Sequence, residues 1–274
     1  MSKYNSREGG VTLATVLKRK ADGLKLSMVT CYDAAFARLV DASGVDMVLV
    51  GDSLGNVMLG HDSTIPVTLD DMIHHSAAVA RVLTRPFLVI DMPFMTCQVS
   101  VEQTLANCTR AIQLGGAQAV KIEGGKAICS QVTALVNAGI PVMGHLGLTP
   151  QSVHALGGYK VQGRGDVARK KLIEEAKSLE AAGIFALVLE MVPAALAAEI
   201  SKALTIPTIG IGAGPDCDGQ VLVLHDLLGF DDDFNPKFLK KYASLGKSVR
   251  DALATYDREV KAGEFPGRAQ SFLE

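Results

Sequence analysis

One phrase recurs along this chain and restricts its fold more than any other feature: a helix end, Gly or Pro, a short apolar run, then a polar residue. Ser43-Gly44-Val45-Asp46 leads into Met47-Val48-Leu49-Val50-Gly51-Asp52, and Arg85-Pro86 into Phe87-Leu88-Val89-Ile90-Asp91. Gly115-Gly116 precedes Ala119-Val120-Lys121-Ile122-Glu123, and Ala138-Gly139 precedes Pro141-Val142-Met143-Gly144-His145. Ala182-Gly183 precedes Phe185-Ala186-Leu187-Val188-Leu189-Glu190, and Ile206-Pro207 precedes Thr208-Ile209-Gly210-Ile211-Gly212. Glycine suits the left-handed position that ends a helix. Nearly continuous apolar runs suit strands buried on both faces of a parallel sheet.

With residues 26–30 in front and 221–224 behind, eight strands alternate with helices, which implies a parallel sheet. Eight units in 274 residues favour closure into a single (β/α)8 TIM-type barrel over an open doubly wound sheet. Local signals mark the helices between. Ser100 with Gln103 reads as a capping box, Thr68 to Asp71 opens another helix in the same way, and Asp166 is expected to cap a third. An extra N-terminal helix over 12–19 and a helical C-terminal tail over 236–262 flank the barrel. No linker divides the chain, so 1–274 reads as one catalytic domain.

Composition narrows the function classes. The 48% hydrophobic content supports a large core, and the net charge of −2 supplies no basic field for a phosphate backbone, so nucleic acid is not an expected partner. No apolar run reaches bilayer length and no basic amphipathic stretch suggests a membrane surface. Residues 1–10 are polar, lack a signal-like apolar region and include Glu8, which speaks against export or organelle import. Five scattered cysteines with no Cys-x-x-Cys pair fit reduced thiols in a cytoplasm better than a disulfide or zinc framework.

In α/β barrels the chemistry stands at the C-terminal ends of the strands. Read in order, the residues there are Thr30 and Asp33, Asp52 and Ser53, Asp91, Lys121 and Glu123, His145, Glu190, the glycine-rich turn 210–214, and His225 with Asp226. Four carboxylates closing apolar runs are costly to bury unless paired, protonated or bound to a cation. Asp52 and Asp91 end consecutive strands, roughly 4.8 Å apart, and can share one hard ion. All-oxygen ligation favours Mg²⁺ over zinc. The plainer reading has Asp52 capping the turn that Gly51-Asp52-Ser53 opens.

Lys121 and Glu123 stand two apart on one strand and face the same way. They form either an internal salt bridge or an anion-binding lysine beside an outer-shell metal carboxylate. Glu190, across the ring from the second strand, is placed to act as a general base. His145 either orients a substrate or is a satisfied structural histidine, and the adjacent His74 and His75 read as structural. The glycines of 210–214 lack dinucleotide spacing and read as backbone packing, with phosphate binding a weaker reading. The segment 146–165 is long for a βα connection and reads as a lid or an assembly element.

These phrases together resemble the ketopantoate hydroxymethyltransferase family. The resemblance is carried by Val50-Gly51-Asp52-Ser53-Leu54-Gly55, Asp91-Met92-Pro93-Phe94, Val120-Lys121-Ile122-Glu123-Gly124-Gly125 and Gly144-His145-Leu146-Gly147-Leu148-Thr149-Pro150-Gln151. Gly157-Gly158-Tyr159-Lys160-Val161-Gln162-Gly163-Arg164, Leu189-Glu190 with Val192-Pro193, and Asp218-Gly219-Gln220 extend it over about residues 11–272. Ala269-Gln270 departs from it, since the family often carries an acidic residue and His there.

The resemblance implies a Mg²⁺-dependent barrel enzyme, typically a homodecamer. Its reaction moves a hydroxymethyl group from 5,10-methylenetetrahydrofolate to 3-methyl-2-oxobutanoate, giving 2-dehydropantoate on the route to pantothenate and coenzyme A. It implies Asp52 and Asp91 as direct metal ligands with Glu123 in the metal site, and Asp52, Ser53, Asp91 and Lys121 as keto-acid contacts. Glu190 is implied as the proton acceptor. Alternatives from the residues alone are a metal-dependent oxo-acid or phosphoenolpyruvate-type lyase or mutase, a Lys121 Schiff-base aldolase, and a catalytically silent barrel used for binding.

Overall fold

The computed structural model describes residues 9–272; residues 1–8, including Glu8, lie outside the described residues. The chain divides after Val223 into two compact units.

The first unit opens with α1 (Leu13–Ala21), β1 (Leu26–Thr30), α2 (Ala34–Ser43), β2 (Met47–Val50), α3 (Leu54–Val57) and α4 (Leu69–Ala80). It continues through β3 (Phe87–Asp91), α5 (Val101–Gly115), β4 (Ala119–Glu123), α6 (Cys129–Asn137), β5 (Val142–Gly147) and α7 (Asp166–Ala182). Then come β6 (Ala186–Glu190), α8 (Ala194–Ala203), β7 (Thr208–Ile211) and β8 (Gly219–Leu222). Among the described residues the eight strands are parallel to their neighbours, and β8 returns to β1, so the sheet closes into a barrel. That is the (β/α)8 architecture the alternating phrases predict.

The helix signals act largely as expected. Thr68 and Asp71 form a full capping box on α4, and the Ser100 hydroxyl accepts from Gln103 N at the start of α5. Two boundaries differ. Gly165, with φ of 78°, occupies the N-cap of α7, so Asp166 is its first helical residue and serves the positive helix end as a charge. The eighth strand starts two residues earlier than 221–224, because Gly219 and Gln220 pair with Leu26 and Ser27 of β1.

The barrel interior is layered. Leu26, Met28, Met47, Leu49, Phe87, Val89, Ala119, Met143, Ala186, Val188, Ile209 and Val221 belong to one apolar cluster, and most stand at alternate positions on their strands. Strand period two sends such residues to one face, here inward. Val11 and Val16 join the cluster, so α1 packs its single fully buried side chain, Val16, against it. Burying a side chain of this kind contributes about 1.5–3 kcal/mol.

The second unit contains α9 (Leu224–Leu227) and α10 (Leu245–Ala262). The helical tail therefore begins at Leu245, not at 236. The segment before it is an irregular turn in which Lys241 Nζ donates to the carbonyls of Asp231 and Asp232. No described helix is long and apolar enough to cross a membrane.

Candidate active site

The same inward alternation that builds the apolar cluster delivers polar residues one layer higher. On β3 the order inward is Phe87, Val89, Asp91; on β4 it is Ala119, Lys121, Glu123; on β5 Met143, His145; on β6 Ala186, Val188, Glu190. Strand register then sets neighbours side by side. Asp91 pairs with Lys121, Glu123 with His145, and Gly147 with Glu190. Asp52 follows β2 by two residues, and its backbone N–H donates to Asp91 Oδ2 at 3.3 Å.

The cluster is closely connected. Lys121 Nζ lies 2.8 Å from Asp91 Oδ1 and 3.1 Å from His145 Nδ1. His145 Nδ1 is 3.3 Å from Glu123 Oε1, and its Nε2 is 3.3 Å from Glu190 Oε2. Asp52, Asp91, Lys121, Glu123 and His145 are each no more than 5% exposed.

Burial at that depth decides the electrostatics. Loss of water, then repulsion from Asp91 and Glu123, pushes the Asp52 carboxyl well above the usual range. Burial also raises Asp91, although the Lys121 ammonium pulls against it. Burial acts on Glu123 too, but hydrogen bonds and charge from His145, with Lys121 and the Gln151 N–H, hold it below its ordinary value. For Lys121 burial favours the neutral amine, and the surrounding carboxylates outweigh it and raise the pKa. Burial and Lys121 pull His145 down, while hydrogen bonds to Glu123 and Glu190 lift it to about 9. His145 thus sits between the Lys121 ammonium and the carboxylates of Glu123 and Glu190.

Several expected residues take other roles. The Asp33 side chain caps α2 by accepting from Phe36 N, so it is a structural residue and not part of the cluster. His225 and Asp226 belong to α9 in the second unit. His75 Nδ1 bonds Tyr32 O at 2.7 Å, as a structural histidine would. The Asp52 side chain caps nothing. Its Oδ2 accepts from Gln151 Nε2 at 2.8 Å, while Ser53 caps α3 through its position and shares a 2.9 Å hydrogen bond with Tyr32 Oη.

Gln151 was not singled out among the strand-end residues, nor were Tyr32 and Tyr159. Gln151 sits in a short 3₁₀ turn at Pro150–Ser152. It belongs to a strap tied to the end of β6 at both sides, by Leu148 N to Glu190 O at 2.8 Å and Gln162 N to Met191 O at 2.9 Å. Gly147 permits the first tie: at φ of 96° a Cβ there would collide with Glu190 O. Met191, next to Glu190, holds a φ of 45°, a conformation uncommon for residues with side chains. The strap carries Tyr159 to the rim of a cleft also lined by Thr30, Asp52, Asp91, Lys121, Glu123 and Glu190. The cleft has a volume of about 130 Å³ and opens to solvent on one side.

The family model described as ketopantoate hydroxymethyltransferase matches residues 10–268. The chain belongs to the ketopantoate hydroxymethyltransferase family. A 3-methyl-2-oxobutanoate hydroxymethyltransferase from Pelobacter propionicus is 55% identical over 262 residues, covering 96% of this chain and 97% of that one. One from a Thermoanaerobacter species is 54% identical over 265 residues, covering 97% of each. As a family member the chain is an enzyme, a hydroxymethyltransferase. Among solved structures, a phosphonopyruvate hydrolase with oxalate and Mg²⁺ superposes with a TM-score of 0.63 at 12% identity, covering 92% of this chain and 88% of that one. A 2,3-dimethylmalate lyase of the PEP mutase/isocitrate lyase superfamily gives 0.61 at 16%, covering 96% and 92%. At such identities the likeness is one of fold.

Whether the hydroxymethyltransferase site suits a cation can be judged from its donors. Among the described residues no group of three or more His, Cys, Asp or Glu side chains converges as a ready-made metal cluster. A pair does adjoin: Asp52 and Asp91 are hard oxygen donors, buried together, each disfavoured as an anion by that burial. Such a pair fits a hard divalent ion that keeps water or substrate oxygens in its other positions.

Proposed function

We propose that this enzyme transfers the one-carbon unit of 5,10-methylenetetrahydrofolate to C3 of 3-methyl-2-oxobutanoate, giving 2-dehydropantoate, in a cytoplasmic pathway to pantothenate. The observation that carries the reading is the buried Asp52–Asp91 pair beside Lys121, with Glu190 on the other side of His145. Balanced overall, the keto acid, methylenetetrahydrofolate and water give 2-dehydropantoate and tetrahydrofolate.

Asp52 and Asp91 would hold Mg²⁺ directly and Glu123 through water. The ion, when bound, supplies a Lewis acid for the keto oxygen of the substrate and so acidifies C3. Lys121 is kept protonated by its carboxylate neighbours and offsets the negative charge of the oxo acid. Ser53 lines the same cleft and offers a hydroxyl to the substrate. Glu190 takes the C3 proton, and C3 then forms its new bond to the one-carbon unit, whose bonds to the folate nitrogens break. His145 Nε2 lies 3.3 Å from Glu190 Oε2 and so neighbours the base.

One alternative loses ground on the same contacts, and another is separated by assay. A Schiff-base aldolase needs a neutral Lys121 amine, and Lys121 is ion-paired to Asp91 at 2.8 Å. A lyase or mutase would turn over without folate. The deciding experiment is a coupled assay with 3-methyl-2-oxobutanoate and methylenetetrahydrofolate, with and without EDTA. Folate-dependent product formation, lost in chelator and restored by Mg²⁺, is expected; full turnover in chelator would remove the metal from the account.

Assembly as a homodecamer is proposed from the family resemblance. Val249, Leu253, Tyr256 and Val260 form an exposed apolar stripe at helical spacing on α10, which is what a subunit interface supplies. Light scattering on the purified enzyme reads the subunit number.

A further inference from the structure

Gln151 is held by groups that all accept hydrogen bonds. Its Nε2 donates to Asp52 Oδ2 at 2.8 Å and to the carbonyl of Met92 at 3.0 Å, and its backbone N–H donates to Glu123 Oε2 at 3.1 Å. The amide orientation follows from chemistry: turned over, its carbonyl oxygen would face a carboxylate and a backbone carbonyl. The residue is 5% exposed, and its Oε1 is buried without a hydrogen-bond partner.

These contacts join three strand ends. Asp52 follows β2, Met92 follows β3 directly after Asp91, and Glu123 ends β4. A single residue of the strap therefore touches two of the three carboxylates assigned to the cation, and the residue next to the third. The orphaned Oε1 has a cost in stability, since a buried amide oxygen without a partner loses the hydrogen bonds it made to water. A hydrophobic residue of similar size would avoid it, so the amide is explained by what its two N–H groups hold.

We propose that Gln151 is the positioning residue of the cation site: its amide fixes the Asp52 carboxylate so that Oδ1 is left for the ion, and thereby sets divalent-metal affinity. This rests on the assignment of Asp52 and Asp91 as ligands. Partners that orient a ligating group typically contribute 10- to 100-fold in metal affinity.

The test is Mn²⁺ binding to the intact wild-type enzyme, Gln151→Met and Gln151→Asn, read from the EPR signal of the free ion. Mg²⁺ competition follows in the same samples. Met removes both N–H donors at similar volume. Asn keeps an amide one methylene too short to span Asp52 and Met92, and serves if the Met protein does not give a cooperative melt. Binding about 10- to 100-fold weaker than wild type is expected, with the Mg²⁺ concentration for half-maximal turnover raised by the same factor. Wild-type-like Kd in a folded variant overturns the role of Gln151 while leaving the ligand assignment intact. Absence of Mn²⁺ binding by the wild-type enzyme overturns both.

Discussion

Two layers of the same barrel are chemically opposite, and apart from the half-buried Glu190 both are buried. Phe87, Val89, Ala119, Met143, Ala186 and Val188 form the lower layer; Asp91, Lys121, Glu123, His145 and Glu190 stand one step along the same strands. Val89 is 0% exposed and Asp91 2%, two residues apart on β3. The lower layer stabilises the fold by removing apolar surface from water. The upper layer gathers charges whose burial raises Asp52 and Asp91 toward protonation. The comparison teaches that depth alone does not separate core from site. What separates them is whether the buried groups carry charges that their neighbours must balance.

Moving the charge down one step is the severest way to break that comparison. Val89→Asp places an acid in the lower layer with no lysine or cation beside it, and at least about 5 kcal/mol of destabilisation is expected. Circular dichroism should then show no cooperative melt. A soluble protein with near-wild-type Tm would mean that the lower layer tolerates charge as the upper one does.

Next in size is Glu190→Gln. Replacing a general base removes about 10²–10⁴ in rate, so exchange of the C3 proton into D₂O, followed by NMR, should fall by that factor while the keto acid still binds. Wild-type exchange would reassign the base. Lys121→Ala should act mainly on KM, raising it roughly 10- to 100-fold as a charge-assisted contact to the oxo acid is lost. A loss confined to kcat would contradict an electrostatic role.

The smallest effect has the opposite sign. Asp52→Asn removes one of the repelling acids, so without metal the variant should melt at or slightly above the wild-type temperature, by about 1 kcal/mol in stability. It should also fail to bind Mn²⁺. The Asp52 pKa is raised in the fold above its ordinary 3.8, so the folded protein holds this proton more tightly than the unfolded chain. Its contribution is therefore fully present below about pH 3.8 and lost as pH rises through the raised value. The melting advantage of the Asn variant in EDTA should grow as pH rises from about 4. A gap that shrinks with pH would reverse the assignment.

Most of the fold was legible because its signals are local. Each strand run carries its own apolar content and follows its own Gly or Pro, and period two puts Lys121 and Glu123 on one face without any tertiary information. Errors arose where local signals were weak. Residues 236–244 contain Phe238, Leu239 and Tyr242 at helix-like spacing, yet the Asp231–Asp233 turn that binds Lys241 competes there. Gly219 and Gln220 have little strand character alone and become strand by pairing with β1.

The site was legible only where strands deliver it. Asp91, Glu123 and Glu190 end strands, with Lys121 two residues earlier on β4, and could be placed by counting. Gln151 reaches Asp52 across 99 residues of sequence by a fold-back of the strap, which no spacing reveals. His145 stood at a strand end, where a substrate-orienting role and a structural one read alike; its neighbours Lys121, Glu123 and Glu190 come from two other strands, β4 and β6.

The most direct test of the account is a crystal structure of the enzyme with Mg²⁺ and 3-methyl-2-oxobutanoate. One ion ligated by Asp52 and Asp91 and chelated by the keto and carboxylate oxygens of the substrate, with Glu190 facing C3, is predicted. A keto acid bound with no ion between those two aspartates, or an ion held elsewhere, would contradict it.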